Sequence, residues 1–172
     1  MKKFVSLLLL AASLAVSARA GVVAGASVGY LVDSEEAYYS ARLGYQFNTA
    51  TSFAHQIEVE YGYSQFEDSG VETSLAPITL NYRASSAAGN KFAYHVGAGA
   101  GVAQIEIDYL WYEGKDQPLA VQGFAGVDYH CTPNLSLNLD AKYLWIDDVE
   151  ILGTSFEVGD DVVLSAGLTF KF

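Results

Sequence analysis

The stretch VVLSAGLTFKF, residues Val162 to Phe172, ends the chain on an alternating pattern. Every second residue, read backwards from the end, is apolar: Phe172, Phe170, Leu168, Ala166, Leu164 and Val162. The residues between them are Lys171, Thr169, Gly167, Ser165 and Val163, which are mostly small or polar. Alternation with a period of two is typical of a β-strand that has one apolar face. The pattern predicts that the chain finishes on a strand whose last residue is an aromatic.

The first 20 residues have the pattern of an export signal. Lys2 and Lys3 precede a short apolar run from Phe4 to Val16, and Ala18 and Ala20 provide small residues for a cleavage site. The run is shorter than the roughly 20 residues that a membrane-spanning helix needs. We therefore predict a cleaved signal peptide over residues 1–20 and one domain over residues 21–172.

The charge of the predicted mature chain is strongly negative. Removing the signal leaves six basic residues against 20 acidic ones, a net charge near −14. Nucleic acid is excluded as a partner, because phosphate binding needs clustered Lys and Arg. The single cysteine, Cys131, cannot form a disulfide within the chain, and we predict that it is a small residue in a turn.

Eight alternating segments follow the signal, each separated from the next by residues typical of turns or loops. They cover residues 22–32, 37–47, 53–66, 74–83, 91–107, 119–129, 135–146 and 162–172. Pro77 cannot donate to a strand ladder, so we expect a bulge or a late strand start there. In the fifth segment the phase changes near Gln104, where Ile105 and Ile107 take over the apolar positions.

The polar face of these segments carries charges that balance. Its main members are Arg42, Glu58, Glu60, Asn81, Arg83, His95, Gln122, Asp128, Asn138, Asp140, Lys142 and Lys171. The four cations, Arg42, Arg83, Lys142 and Lys171, stand against the four anions, Glu58, Glu60, Asp128 and Asp140. Charges enclosed in a medium of low dielectric constant need such pairing, whereas a solvated face does not. We predict that these eight residues form a lumen network. Gly97, Gly99 and Gly101 would make room for its long side chains, such as Arg42, Lys142 or the glutamates.

The apolar face has aromatic residues near both strand ends and small or aliphatic residues between them. One group is Tyr45, Phe47, Tyr82, Phe92, Tyr94, Tyr129, Phe170 and Phe172, and the other is Tyr30, Tyr38, Tyr39, Tyr61, Tyr63, Tyr143 and Trp145. Aromatic side chains prefer the two interfaces of a membrane. The pattern predicts an all-β fold, an eight-stranded antiparallel up-and-down transmembrane β-barrel. The alternative is a soluble periplasmic, lipocalin-like barrel that binds an apolar ligand.

The connections alternate between two kinds. One series, near residues 48–52, 85–90 and 132–134, is short and neutral, while the other carries fifteen acids and one base, Lys115. The acids are Asp33, Glu35, Glu36, Glu67, Asp68, Glu72, Asp108, Glu113, Asp116, Asp147, Asp148, Glu150, Glu157, Asp160 and Asp161. Short periplasmic turns and longer outer loops are usual in bacterial barrels. We predict periplasmic termini and acidic extracellular loops in a Gram-negative outer membrane.

The chain resembles the small eight-stranded outer-membrane barrels, the family that includes the transmembrane domain of outer membrane protein A and the opacity-type surface proteins. In that family the barrel-assembly machinery reads a terminal aromatic with apolar residues on alternate preceding positions. The matching positions here are Leu164, Ala166, Leu168, Phe170 and Phe172. The resemblance implies contact with outer-membrane lipids and lipopolysaccharide, and a monomer. It does not imply a role in anchoring the cell wall, since no peptidoglycan-binding domain follows the barrel.

Catalysis is not expected. The His-x-Ser pattern of outer-membrane lipid A deacylases is absent, and His55, His95 and His130 all map near the neutral turns, where we interpret them as polar anchors. No catalytic, cofactor-binding or metal-binding residue is predicted, although the acidic loops offer oxygen ligands that divalent cations prefer. We expect a non-enzymatic protein with a filled lumen and a structural or surface-interaction role. The less favoured alternatives are a small-solute channel and a lipid-modifying enzyme.

Overall fold

The computed structural model describes residues 21–48, 53–68, 71–86, 91–109, 112–151, 154–156 and 159–172. The predicted signal peptide, residues 1–20, lies outside them, as do most residues of two predicted neutral turns, 49–52 and 87–90. The side chains of Glu67, Asp68, Glu72, Asp108, Glu113, Glu150 and Glu157 also lie outside the described part.

The described residues form eleven β-strands. They are β1 Val22–Leu31, β2 Glu36–Asn48, β3 Phe53–Asp68, β4 Val71–Ser86, β5 Phe92–Tyr109, β6 Tyr112–Asp116, β7 Leu119–His130, β8 Leu135–Ile146, β9 Val149–Ile151, β10 Thr154–Phe156 and β11 Gly159–Lys171. This part of the chain contains no helix with the length and apolar character needed to cross a membrane.

Eight of the described strands, β1 to β5, β7, β8 and β11, close into an antiparallel barrel. The last of them, β11, lies between β8 and β1, and its pairing with β1 runs from Val23 opposite Lys171 to Leu31 opposite Val163. Gly21 N donates to Phe172 O at 3.1 Å, and Phe172 N donates to Val22 O at 2.9 Å. Because closure pairs the first strand with the last, the wall of the barrel has no open edge. The predicted eight-stranded barrel is confirmed.

The two ends of the barrel differ, and we name them by their residues. The terminal rim is the end with Gly21, Phe172 and the β7–β8 turn at residues 131–134. The acidic rim is the opposite end, with the β1–β2 turn at residues 32–35 and the loop that begins at Asp147. The short strands β6, β9 and β10 belong to the connections at the acidic rim.

The apolar set faces outward and the polar set faces the lumen. Outward-facing Leu139 and Val96 expose 66% and 60% of their surface, whereas lumen-facing Asn81 and Glu58 expose 1% each. In β8 every second residue from Asn138 to Ile146 is buried while its neighbours are exposed. A soluble protein rarely exposes so continuous an apolar surface. The exposed band is therefore the outer wall predicted from the alternation.

The exposed aromatic residues lie in two groups. Tyr45, Phe53, Tyr82, Phe92, Tyr94 and Phe170 are exposed toward the terminal rim, and Tyr30, Tyr39, Tyr143 and Trp145 toward the acidic rim. The assignment of Tyr38 to the second group is wrong: its side chain points into the lumen and is 2% exposed. Since adjacent residues of a strand face opposite sides, Tyr38 and Tyr39 cannot both belong to the outward-facing aromatic group.

Two local predictions are also wrong. β4 begins at Val71, before Pro77, and its register with β3 is the same on both sides of the proline, with Tyr61 opposite Ile78 and Ser64 opposite Leu75. Pro77 thus interrupts this ladder without a bulge or a late start. The phase of β5 does not change near Gln104, because Ala103 and Ile105 are both buried on the lumen face.

Candidate functional site

The lumen is the candidate functional site, because it collects the charged side chains that the strands turn inward. Seven of the eight predicted network residues are buried within it: Arg42, Glu58, Glu60, Arg83, Asp128, Asp140 and Lys142. They come from β2, β3, β4, β7 and β8, which the closed order of strands places around one interior.

Two arginines lie among three carboxylates. Arg42 approaches Asp140 at 3.7 Å and Glu58 at 4.0 Å. Arg83 approaches Glu58 at 3.6 Å, Asp140 at 3.8 Å and Asp128 at 4.0 Å. The Arg83 guanidinium also lies 5.2 Å from the ring centroid of Phe124, within cation–π range. Opposite charges so enclosed offset part of each other's desolvation cost.

Glu60 is the centre of a second group, nearer the acidic rim. Lys142 Nζ donates to Glu60 Oε1, while Asn81 Nδ2 and Gln122 Nε2 donate to Glu60 Oε2 at 3.1 and 3.2 Å. Lys142 also lies 5.4 Å from the ring centroid of Tyr38. The buried carboxylate therefore has both an ionic partner and neutral donors, as an enclosed charge requires.

Lys171 does not join this network. Its side chain is half-buried at the terminal rim, and no ion pair connects it to the described lumen charges. The group on its strand that reaches the network is the Thr169 hydroxyl, which accepts from Arg42 at 2.7 Å and from Asn138 at 2.6 Å.

His95 takes a place that the sequence interpretation missed. It was expected to be a polar anchor at the interface, but it is 4% exposed inside the lumen. Its Nδ1 lies 3.1 Å from Asp128 Oδ2, and its Nε2 lies 2.5 Å from Asp140 Oδ1. The signal that could have found it is its position in the alternation of β5, which placed it in the polar set.

Glycines make room in the lumen, but for different side chains than predicted. A Cβ on Gly97 would meet the ring of Phe124, and one on Gly99 would meet Asn81 rather than Arg42 or Lys142. Gly101 lies against the backbone of Ile78 and Thr79. The large residue that fills this side of the lumen is thus an aromatic, which the count of polar residues did not reveal.

One small cavity lies within the polar part of the described lumen. A cavity lined by Ser27, Ser40, Arg42, Glu60, Arg83, Phe124, Asp140, Lys142 and Ser165 has a volume of about 10 Å³. That volume is about the minimum that holds one water molecule. Side chains therefore leave little space at this point of the lumen, as expected for a barrel of eight strands.

Apolar side chains lie in the lumen toward the acidic rim. One cluster of lumen-facing residues comprises Leu75, Ala103, Ile105, Ala120, Leu144 and Ile146, and a second comprises Leu31, Tyr38 and Val163. Phe66 packs against both clusters. We call these residues the apolar plug. The apolar plug lies between the ionic network and the acidic rim.

The sequence itself matches a known family. The family model described as the outer membrane protein beta-barrel domain matches residues 4–172. The chain belongs to this family. It is an outer-membrane β-barrel. No curated protein is a significant sequence match to the chain.

Several solved outer-membrane barrels have the same fold. Neisserial surface protein A is 19% identical with a TM-score of 0.68, over 88% of this chain and 96% of that chain. The attachment invasion locus protein Ail of Yersinia pestis, solved with the heparin analogue sucrose octasulfate, is 11% identical with a TM-score of 0.59, over 89% and 97%. The outer membrane enzyme PagL is 15% identical with a TM-score of 0.55, over 87% and 99%.

The two other histidines of this barrel lie near the terminal rim. His55 faces outward, where its Nδ1 lies 2.5 Å from the Tyr82 hydroxyl and its ring stacks on Phe47. His130 Nδ1 lies 2.7 Å from the Ser136 hydroxyl, and its Nε2 has no hydrogen-bond partner among the described residues. A serine–histidine pair without an orienting acid is an incomplete catalytic triad.

At the acidic rim of the barrel, the described carboxylates are mostly exposed. Asp33, Glu35, Asp147, Asp148 and Asp160 are in this class. Asp161 differs, since its carboxylate accepts from the backbone N–H groups of Asp33 and Ser34, both at 3.0 Å, and fixes the β1–β2 turn. Within the described chain, no three His, Cys, Asp or Glu side chains are grouped to hold a metal ion.

The assembly-signal residues predicted on β11 face outward. Leu164, Leu168 and Phe170 are exposed by 53%, 50% and 41%, and Ala166 is exposed between them. The rings of Phe170 and Phe172 meet edge to face, with centroids 4.8 Å apart. The end of the chain therefore forms an apolar strip along the outer wall.

Proposed function

We propose that this outer-membrane barrel is not an enzyme, that its lumen is closed, and that its acidic rim faces the exterior in a structural or surface-interaction role. The observation that supports this best is that two successive groups of side chains occupy the lumen. An ionic network fills the middle of the barrel, and the apolar plug lies between that network and the acidic rim.

Closure is tested by recordings in planar bilayers with protein purified from outer membranes. We expect no large, stable single-channel steps, because the cavity beside Arg83 and Lys142 has space for about one water molecule. A variant that removes the large side chain beside the arginine, Phe124→Ala, checks that the assay detects a widened lumen. Stable steps from the unmodified protein would contradict the proposal and support the alternative of a small-solute channel.

The enzyme alternative is raised by PagL, an outer membrane enzyme with the same fold. The nearest arrangement among the described residues is the pair His130 and Ser136, where no described carboxylate contacts the second ring nitrogen. We expect no turnover in assays of lipid A modification or peptide cleavage. Turnover that disappears in both His130→Ala and Ser136→Ala would show that the proposal is wrong.

We also propose that the terminal rim is periplasmic. Cys131 is exposed in the β7–β8 turn at this rim, and it is the single cysteine of the chain. A membrane-impermeant maleimide should therefore leave Cys131 unlabelled in intact cells and label it after the outer membrane is permeabilised. In a Cys131→Ser background, Asp148→Cys at the acidic rim should label in intact cells. The reverse pattern would invert the orientation.

A surface role is proposed from the charge of the acidic rim. Exposed carboxylates at Asp33, Asp147 and Asp148 favour a cationic partner, the opposite of the anionic heparin analogue found with Ail. Cationic peptides should bind the barrel in nanodiscs at low salt and dissociate at high salt. Binding should weaken when these three aspartates become asparagines. Heparin binding by the unmodified protein would contradict this choice of partner.

The remaining partners are proposed on the same basis. Divalent cations shared with lipopolysaccharide are candidates for the acidic rim, because carboxylate oxygens are the ligands that Ca²⁺ and Mg²⁺ prefer. Calorimetry that shows no binding in the millimolar range would exclude them.

We propose that the barrel is a monomer. Sedimentation in detergent, with the solvent density matched to that of the detergent, would test this.

A further inference from the structure

His95 is held between two carboxylates inside the lumen. Asp128 of β7 lies on its Nδ1 side at 3.1 Å, and Asp140 of β8 lies on its Nε2 side at 2.5 Å. A Cβ on the neighbouring Gly126 would meet both Asp140 and the imidazole, so this glycine allows the close approach. A neutral imidazole has one N–H donor and one acceptor nitrogen. Two ionised carboxylates can both accept from the ring only when both nitrogens carry protons.

The charges around His95 also favour a ring that is protonated on both nitrogens. Its two carboxylate partners, Asp128 and Asp140, also lie near Arg83 on β4 and Arg42 on β2, and both arginines approach Glu58 on β3. Together with the Glu60 and Lys142 pair, the described lumen holds four carboxylates against two arginines and one lysine. Lys171 is half-exposed at the terminal rim, and Asp161 is bonded to the β1–β2 turn. A charged His95 is the fourth cation that balances the interior.

The shortest cation contacts of both aspartates are with His95. Arg83 comes no closer than 4.0 Å to Asp128 and 3.8 Å to Asp140, distances too long for hydrogen bonds, and Arg42 is 3.7 Å from Asp140. Loss of one ring proton removes one of the two N–H donors that join these aspartates. It also leaves the enclosed network with an uncompensated negative charge, which is costly at low dielectric.

We propose that His95 is an imidazolium at neutral pH and forms a proton-dependent latch that joins β5 to β7 and β8 inside the barrel. The folded barrel then binds one more proton at this site than the unfolded chain does above neutral pH. Stability therefore falls as pH rises through the range in which His95 loses that proton, by up to about tenfold in the folding equilibrium per pH unit. This proposal does not depend on which side of the membrane the acidic rim faces, or on what binds to that rim.

The protonation state is measured directly in the unmodified protein. Long-range ¹H–¹⁵N correlation spectra of ¹⁵N-histidine-labelled barrel in nanodiscs at pH 8 report whether each ring nitrogen carries a proton. His55 and His130 are internal controls, because each ring has one described hydrogen-bond partner, a hydroxyl. We expect both nitrogens of His95 to be protonated. A neutral His95 ring at pH 8 would overturn the proposal.

Two variants test the latch itself by denaturant unfolding between pH 7 and pH 10. His95→Gln keeps one N–H donor but has no titrating ring, so its stability should change less with pH than that of the unmodified protein. Asp128→Asn removes one of the two carboxylates that accept from the ring. In the histidine spectra of this variant at pH 8, His95 should therefore be neutral, unlike in the unmodified protein. Equal pH dependence in the unmodified protein and His95→Gln would sink the latch. If a variant does not insert into the membrane, the spectrum of the unmodified protein alone decides.

Discussion

Lys142 and Glu60 form one of the enclosed ion pairs of the lumen, with side-chain exposures of 7% and 5%. Enclosed pairs of this kind add little net stability compared with apolar residues, but removal of one partner leaves a charge without compensation. The neutral donors Asn81 and Gln122 would then face a carboxylate that has lost its cation. The pair therefore constrains which single substitutions the lumen tolerates.

We predict that Lys142→Ala lowers the free energy of unfolding by about 3–5 kcal/mol, because it strands the Glu60 carboxylate. The double variant Glu60→Gln with Lys142→Met should recover most of the loss. Lys171→Ala is the matched control, with an expected change of about 0.5 kcal/mol or less, since its side chain is half-exposed. Denaturant unfolding in detergent micelles, followed by the heat-modifiable shift on gels, measures all three. Equal effects at Lys142 and Lys171 would refute the enclosed network.

Two glycines of the barrel wall, Gly97 and Gly123, have different surroundings. Gly97→Ala should destabilise the barrel by about 1–3 kcal/mol, because the new methyl group meets the Phe124 ring and the Tyr82 carbonyl. Gly123→Ala is the control, since a Cβ there meets nothing within 4 Å. The same unfolding assay should find Gly123→Ala unchanged or slightly stabilised. A neutral Gly97→Ala would show that the ring has room to move.

The alternation of the sequence predicted which side of the wall each residue faces, but it did not predict which side chains are in contact. Each buried network residue could be assigned to the lumen because the period of a strand decides its side. The partner of His95 could not be assigned, because it depends on the registers of β5 with β7 and of β7 with β8. The interior position of Tyr38 was missed for a related reason, since an aromatic suits either face.

Strand β11 closes the barrel, and the terminal aromatic, Phe172, follows it directly. It pairs along its length with β8 on one side and β1 on the other, so the wall is complete only when this last strand is in place. Long alternating strands of this kind could be predicted from the sequence to within a few residues. The strands β6, β9 and β10 could not, because three to five residues in polar connections carry too little alternation to show a period.

We predict that Phe172→Ser lowers the yield of inserted barrel severalfold, because the resemblance implies that the assembly machinery reads this residue. Phe53→Ser is the matched control, as Phe53 is an exposed aromatic at the same rim on β3. The amount of heat-modifiable protein in the outer-membrane fraction measures both. Equal yields from the two variants would indicate that Phe172 is one interfacial aromatic among several and not a signal.

On the scale of the whole molecule, the interior is asymmetric along the barrel axis. Toward the terminal rim it is polar and ionic, around Arg42, Arg83 and His95, while toward the acidic rim it is closed by the apolar plug at Leu75, Ile105 and Leu144. The sequence showed this change only as an apparent shift of phase in β5. A lumen-facing isoleucine looks like a lipid-facing one when the interior is assumed to be polar throughout.

The outer wall gives the last prediction, which depends on depth in the membrane. Leu139 lies in the middle of β8, opposite Ala166 and Val127, and is 66% exposed, whereas Phe92 is 55% exposed at the terminal rim. In water, arginine at either position would be tolerated, because both side chains are exposed. In a bilayer, Leu139→Arg should cost about 2–4 kcal/mol and Phe92→Arg about 0–1 kcal/mol, since the cost of a charge falls from the midplane to the interface. Reversible unfolding from phospholipid vesicles measures both. Equal costs at the two positions would mean that the exposed apolar band is not the surface that lies in lipid.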